Sequence, residues 1–299
     1  MAVWIGSHAL TMTELLVLLG RAWSRLLFYP GGVSAFAVIW LIAYLQPRIA
    51  SSLNAHVFHA KHTNLTHPPT FYALHTFLSM SAVVLPWLSL ALLPLPLAPS
   101  MERPVDVLVA LALFEWPLVL TLATEVRSSN QSAQQNGWRR LAAALNGYPC
   151  FVLALLLLMT VSRSLQLDQL TRLPGMDAGF VVIVAWIFGV CTLVVSLPPI
   201  LGLGPFATAA PGDPGLRIGL RLRGIGLVVL ALFPLLGLLE SYLWVFLLAC
   251  VLVGCYLIAC IRFAGRWPTR RWAIGYAVLA LAQLVVLLGA SVVALQDRL

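Results

Sequence analysis

The stretch Val105-Asp106-Val107-Leu108-Val109-Ala110-Leu111-Ala112-Leu113-Phe114-Glu115-Trp116-Pro117-Leu118-Val119-Leu120-Thr121-Leu122-Ala123-Thr124 decides the fold. A bilayer core about 30 Å thick takes about 20 apolar residues as a helix, and this run has that length with one charge in its middle. Seven other stretches read the same way: 31–49, 71–95, 146–163, 179–201, 222–240, 242–263 and 272–295. The expectation is an all-α, polytopic membrane protein with about eight transmembrane helices.

Composition supports this reading. Of 299 residues, 61% are hydrophobic and 9% charged, with a mean hydropathy of +0.95. A water-soluble domain carries about a quarter charged residues, so this chain cannot clothe itself in a polar surface. Cytosolic enzymes, nucleic-acid-binding modules and disordered chains are excluded together. The formal net charge of +8 then belongs to basic loops at a membrane, not to nucleic acid. The five cysteines, Cys150, Cys191, Cys250, Cys255 and Cys260, lie in apolar runs without redox or zinc spacing and read as packing residues.

Before the first span, Leu15, Leu16, Leu18 and Leu19 form an apolar stretch, with Arg21 and Arg25 four apart on one face. That suits a helix lying in the interface. Residues 1–30 are therefore expected as an interfacial segment and 31–299 as a single eight-helix membrane domain. No basic n-region or small-residue cleavage site marks a signal peptide. No matching pair of broken helices marks an inverted-repeat transporter.

Orientation follows from Lys and Arg. Twelve of the 18 fall after spans one, three, five and seven, and six on the other side. The richer side is expected in the cytoplasm, with both termini outside.

Acids are few, so Glu115, midway along its span, stands out. A carboxylate at that depth costs about 2.5–3.5 kcal/mol on insertion scales and is by default a functional-site hypothesis. Pro117 removes a backbone donor and clashes at Leu113, which opens backbone groups near Glu115 to a water or a side chain. Glu125 ends the same helix, about 15 Å along the axis, where Arg127 offers an ordinary surface partner. The two carboxyls could serve as stations on a water-linked proton path. His75 lies inside the second span, where a titratable imidazole can relay protons. His56, His59 and His62 recur at three-residue spacing, but no Cys or carboxylate joins them, and they read as a solvated loop. No phosphate loop, nucleophile elbow or ligating cysteine set occurs. No catalytic centre, metal or cofactor held by this chain alone is expected.

The order of features resembles the heel membrane subunit of respiratory complex I, a family shared with membrane-bound hydrogenases and formate hydrogenlyase. Ser128-Ser129-Asn130, then Gly137-Trp138-Arg139-Arg140-Leu141-Ala142-Ala143, then Gly147-Tyr148-Pro149 follow the family's polar run, amphipathic Arg segment and Ser-Tyr-Glu. A polar Ser164-Leu165-Gln166-Leu167-Asp168 follows that span, as in the family. Pro198-Pro199 with Gly204-Pro205-Phe206 resembles its Pro-Phe-Asp loop. Arg262-Phe263 through Arg266-Trp267-Pro268-Thr269-Arg270 resembles its basic loop before the last span. The likeness covers most of the chain from about residue 31.

Departures qualify what the resemblance implies. Pro149 stands where the family has a Glu, and Phe206-Ala207-Thr208-Ala209-Ala210-Pro211-Gly212-Asp213 holds one acid where several are expected. The quinone-site carboxylates are thus largely lost. The resemblance implies a scaffold or coupling subunit in the bacterial cytoplasmic (inner) membrane. Its partners would be antiporter-like membrane subunits and hydrogenase-like or complex-I-like cytoplasmic subunits. Glu115, Glu125, His75 and Asp213 are the expected proton-handling residues. Arg139, Arg140, Arg217, Arg221 and Arg223 are the expected docking face for a peripheral protein or acidic headgroups. The alternatives are a structural anchor, or a permease, which spans four to eight disfavour because they show no interior charge.

Overall fold

The computed structural model describes residues 69–93, 106–171, 174, 179–238, 243–263 and 269–296. Within them lie seven long helices: α1 (Pro69–Leu92), α2 (Val107–Val126), α3 (Gln131–Ser162), α4 (Phe180–Leu201), α5 (Pro214–Leu232), α6 (Leu243–Phe263) and α7 (Thr269–Gln296). Single turns of helix at Leu167–Leu170, Gly204–Phe206 and Phe233–Leu235 punctuate the loops. The described residues form no strand beyond an isolated bridge between Asp106 and Gln166. Six helices, α2 to α7, are long and apolar enough to cross a bilayer, and α1 carries a shorter apolar stretch, Phe77–Leu90. The protein is therefore an all-helical, multi-pass membrane protein. The expected first span (31–49), the interfacial segment (1–30) and the His56, His59 and His62 loop lie outside the described residues.

Five expected spans coincide with helices, and two differ. Span 146–163 is only the second half of α3, which starts at Gln131 and continues through Gly147-Tyr148-Pro149. Proline inside a membrane helix is tolerated because neighbours re-satisfy the freed backbone, and Pro149 lies on the exposed face. At 32 residues and 1.5 Å per residue, α3 is about 48 Å long, well beyond a bilayer core. Asn130 caps its start by accepting from Ser132 N–H at 3.0 Å. Span 222–240 begins eight residues earlier, at Pro214, because Asp213 supplies an N-cap and Pro214 a pre-set first turn.

The core lies among α1 to α5, where Phe114, Phe151, Leu155, Leu193, Leu197, Leu227 and Phe233 are almost fully buried. α3 packs along both α4 and α7. The outward faces stay apolar, with Trp244 and Phe180 at least 80% exposed, as a lipid-facing surface requires. α5 meets α1 and α2 through glycines. A Cβ at Gly215 or Gly219 would overlap Ser79 or the Ala82 carbonyl, and one at Gly226 would overlap the Phe114 ring. Small residues let helix backbones approach in a membrane, where apolar side chains alone supply little drive to associate.

Candidate functional site

Glu115 sits on α2 between Phe114 and Pro117, where the helix buries its face against α5. Its Oε2 accepts from Arg223 Nε at 2.8 Å. Arg223 belongs to α5 and is 3% exposed. The same guanidinium donates from Nη1 to the Ile200 carbonyl at 2.9 Å and from Nη2 to the Tyr148 hydroxyl at 2.8 Å. One cation on α5 thus holds α2, α3 and α4 together.

Each partner has a local cause. Ile200 lies in the last turn of α4, whose final carbonyls have no helical donor. Gly202 closes that helix in the left-handed conformation (φ 63°), with Leu203 N–H bonded to the Pro198 carbonyl at 2.8 Å. A cation at a helix C-terminus also meets its negative pole, so Arg223 is favoured there twice over. Tyr148 arrives because Gly147 lets the α3 backbone close on Pro199 and Ile200. Glu115 Oε1 is buried and accepts no hydrogen bond.

A second ion pair lies toward the arginine-rich end. Arg140 forks onto Glu125, Nε to Oε2 at 3.1 Å and Nη2 to Oε1 at 3.2 Å, and also donates to the Ala209 carbonyl at 2.9 Å. Glu125 is 8% exposed, so its partner is this guanidinium from α3 and not the nearby Arg127. Gly137 permits the contact by packing against Glu125 Cβ and Val126. Between the pairs lies a cavity of about 50 Å³ lined by Arg140 and Arg223 with Leu118, Ile200, Gly202, Phe206 and Thr208 among others. That volume holds a few waters, and the guanidinium N–H groups supply polar partners for them.

The other expected residues fall elsewhere. Asp213 caps α5, accepting from Leu216 N–H at 2.8 Å and from the Ser79 hydroxyl at 2.9 Å. His75 lies on α1, but its side chain is outside the described residues. Of the five docking arginines, Arg139 is exposed and Arg217 and Arg221 are half-buried. Arg140 is tied to Glu125, and Arg223 is turned inward. The absence of interior charge expected for spans four to eight therefore fails at Arg223, a basic residue at membrane depth that reads in sequence as a loop charge.

The amino-acid sequence alone assigns no role to the α4 carbonyls. Pro199 has no N–H, so Val195, four residues before it, has no helical donor. The hydroxyls of Tyr256 on α6 and Tyr276 on α7 both donate to the Val195 carbonyl, each at 3.1 Å. The Pro198-Pro199 pair is the signal that points to such an unmet carbonyl.

No family model matches the sequence, and no curated protein matches it. Among solved structures, a chain from the membrane-bound sulfane sulfur reductase (MBS), an archaeal respiratory membrane complex, superimposes with a TM-score of 0.55 at 16% identity. The match spans 93% of this chain and 99% of that one. The fold is shared. At this identity the likeness speaks to architecture alone.

Proposed function

We propose that this chain is a membrane-embedded scaffold and coupling subunit of a complex-I-like or energy-converting-hydrogenase-like assembly. The observation that carries it is the fold likeness along nearly the whole of a chain from a respiratory membrane complex. Few polar groups line the described helices beyond the two Glu–Arg pairs, which suits a subunit working beside others. The arginine-rich end faces the cytoplasm in this reading, and the membrane is a bacterial inner membrane. Antiporter-like subunits lie alongside, and a hydrogenase-like or complex-I-like module docks at the arginine-rich end.

Glu115 and Glu125 are the proposed charge-handling groups, with His75 as a further candidate. The cavity lined by Arg140 and Arg223 has room for water beside the two guanidiniums that hold these carboxylates. Asp213 contributes by capping α5. Docking rests on Arg139, Arg217 and Arg221, since Arg140 and Arg223 are committed to carboxylates.

The experiment is native-gel and mass-spectrometric analysis of the tagged protein extracted in mild detergent. A large hetero-complex containing antiporter-like and peripheral subunits is expected. A monomer or homo-oligomer counts against the reading and favours a stand-alone permease. In the same preparation, Arg139→Glu with Arg221→Glu is expected to release the peripheral module while the membrane subunits stay together.

A further inference from the structure

We infer that Tyr256 and Tyr276 are positioning residues for the Glu115–Arg223 pair, acting through the proline-broken end of α4. The geometry runs through one short segment, Val195 to Ile200. At its start, the Val195 carbonyl lacks a helical donor because Pro199 has no N–H, and it accepts from both tyrosine hydroxyls at 3.1 Å. At its end, the Ile200 carbonyl accepts from Arg223 at 2.9 Å. An unmet carbonyl inside a membrane is costly, so neither end is free to drift.

The middle of the segment is held by packing. A Cβ on Gly147 would come within 2.6 Å of Ile200 Cγ1 and 2.9 Å of Pro199 Cγ. The α3 backbone is therefore pressed against Pro199 and Ile200 at the residue next to Tyr148, whose hydroxyl receives Arg223 Nη2 at 2.8 Å. Moving the turn displaces two of the three acceptors that orient the guanidinium, and the third is Glu115. α6 and α7, which carry the tyrosines, are otherwise mostly exposed. These hydroxyls tie the last two helices to the α4 turn, and Cys150 adds a bond to the Tyr276 carbonyl at 3.1 Å. With both hydroxyls removed, Val195 must find another donor. The turn rotates, Ile200 leaves Arg223, and the hold on Glu115 loosens.

A hydrophobic carbodiimide reads that hold, because it adds to a protonated carboxyl and not to a carboxylate engaged by a guanidinium. Labelling of Glu115 is measured by peptide mass spectrometry on the purified full chain in nanodiscs. Wild type is expected to label slowly. Tyr256→Phe or Tyr276→Phe alone stays within twofold of wild type, since one hydroxyl still serves Val195. The double variant labels at least fivefold faster. Pro199→Ala added to the double variant returns an N–H to Val195 and restores labelling to within twofold of wild type, which a general loosening of packing does not predict. Wild-type labelling in the double variant overturns the inference, as does a rise that Pro199→Ala leaves in place. Should the double variant not survive purification, the triple variant decides: native labelling supports the inference, and unfolded or fast-labelling protein overturns it. The working role of Glu115 rests on the membrane-subunit reading. Labelling is read on the isolated chain, so a loss of partners and a labelling failure are separate results.

Discussion

Replacing Arg223 with Met is the most informative single change to this protein. Met keeps an apolar side chain of useful length but removes a guanidinium that makes three bonds of 2.8–2.9 Å to three helices. Glu115 Oε2 loses the guanidinium that donates to it, and Oε1 accepts no hydrogen bond, leaving a buried carboxylate without its cation. Breaking a buried pair in this way costs about 3–5 kcal/mol, against a total stability of about 5–15 kcal/mol for a folded domain. The stranded Ile200 carbonyl acts in the same direction. Replacing both partners, Arg223→Met with Glu115→Met, leaves no stranded charge, and such exchanges are often neutral or better. Denaturant unfolding in mixed micelles across the double-mutant cycle supplies the numbers. The expectation is a loss of about 3–5 kcal/mol for Arg223→Met, recovery to within about 1 kcal/mol in the double variant, and hence a coupling energy of about 2 kcal/mol or more. Single variants that each cost under about 1 kcal/mol and add without coupling refute the claim that this pair is a buried junction.

Three further outcomes are expected. Glu115→Gln keeps the volume and leaves Arg223 its bonds to Ile200 and Tyr148, so the assembled complex should purify intact while coupled ion translocation in membrane vesicles falls; unchanged translocation removes Glu115 from the proton-handling role. Gly226→Val forces a branched side chain into the Phe114 ring and should cost about 1–3 kcal/mol or more by overpacking, read as a lowered melting temperature. Asp213→Ala removes the α5 cap and its bond to Ser79, with an expected loss of about 0.5–2 kcal/mol and no change in Glu115 labelling by carbodiimide.

The helices were legible because a bilayer writes them as long apolar runs, and Glu115 was legible because an acid inside such a run is rare. Its partner was not. Arg223 falls at the first residues of the expected span 222–240, where hydropathy alone assigns a basic residue to the loop, and helical spacing says nothing about which helix faces which. Asp213 carried a readable signal that points to capping, since Asp followed by Pro opens many helices. The resemblance also implies proton handling for it. α3 hid its length because Gly147-Tyr148-Pro149 has the composition of a break. Only its packing, with Gly147 against Ile200 and Tyr148 against Arg223, shows why the chain stays helical there. The Arg140–Glu125 fork joins residues 15 apart across a turn, a proximity that no periodicity encodes.

The glycine contacts of α5 restrict how this protein can move. Gly215 and Gly219 face the α1 backbone and Gly226 faces Phe114, so each small residue has a matched position opposite it. Sliding α5 by one turn, about 5.4 Å, would bring leucines or arginines against surfaces shaped for hydrogen atoms. Piston-like travel along the membrane normal is therefore closed to the helix that carries Arg223. Any charge displaced through this protein must ride on side-chain rotation or on a pivot of neighbouring helices about α5, which serves as the fixed axle of the bundle.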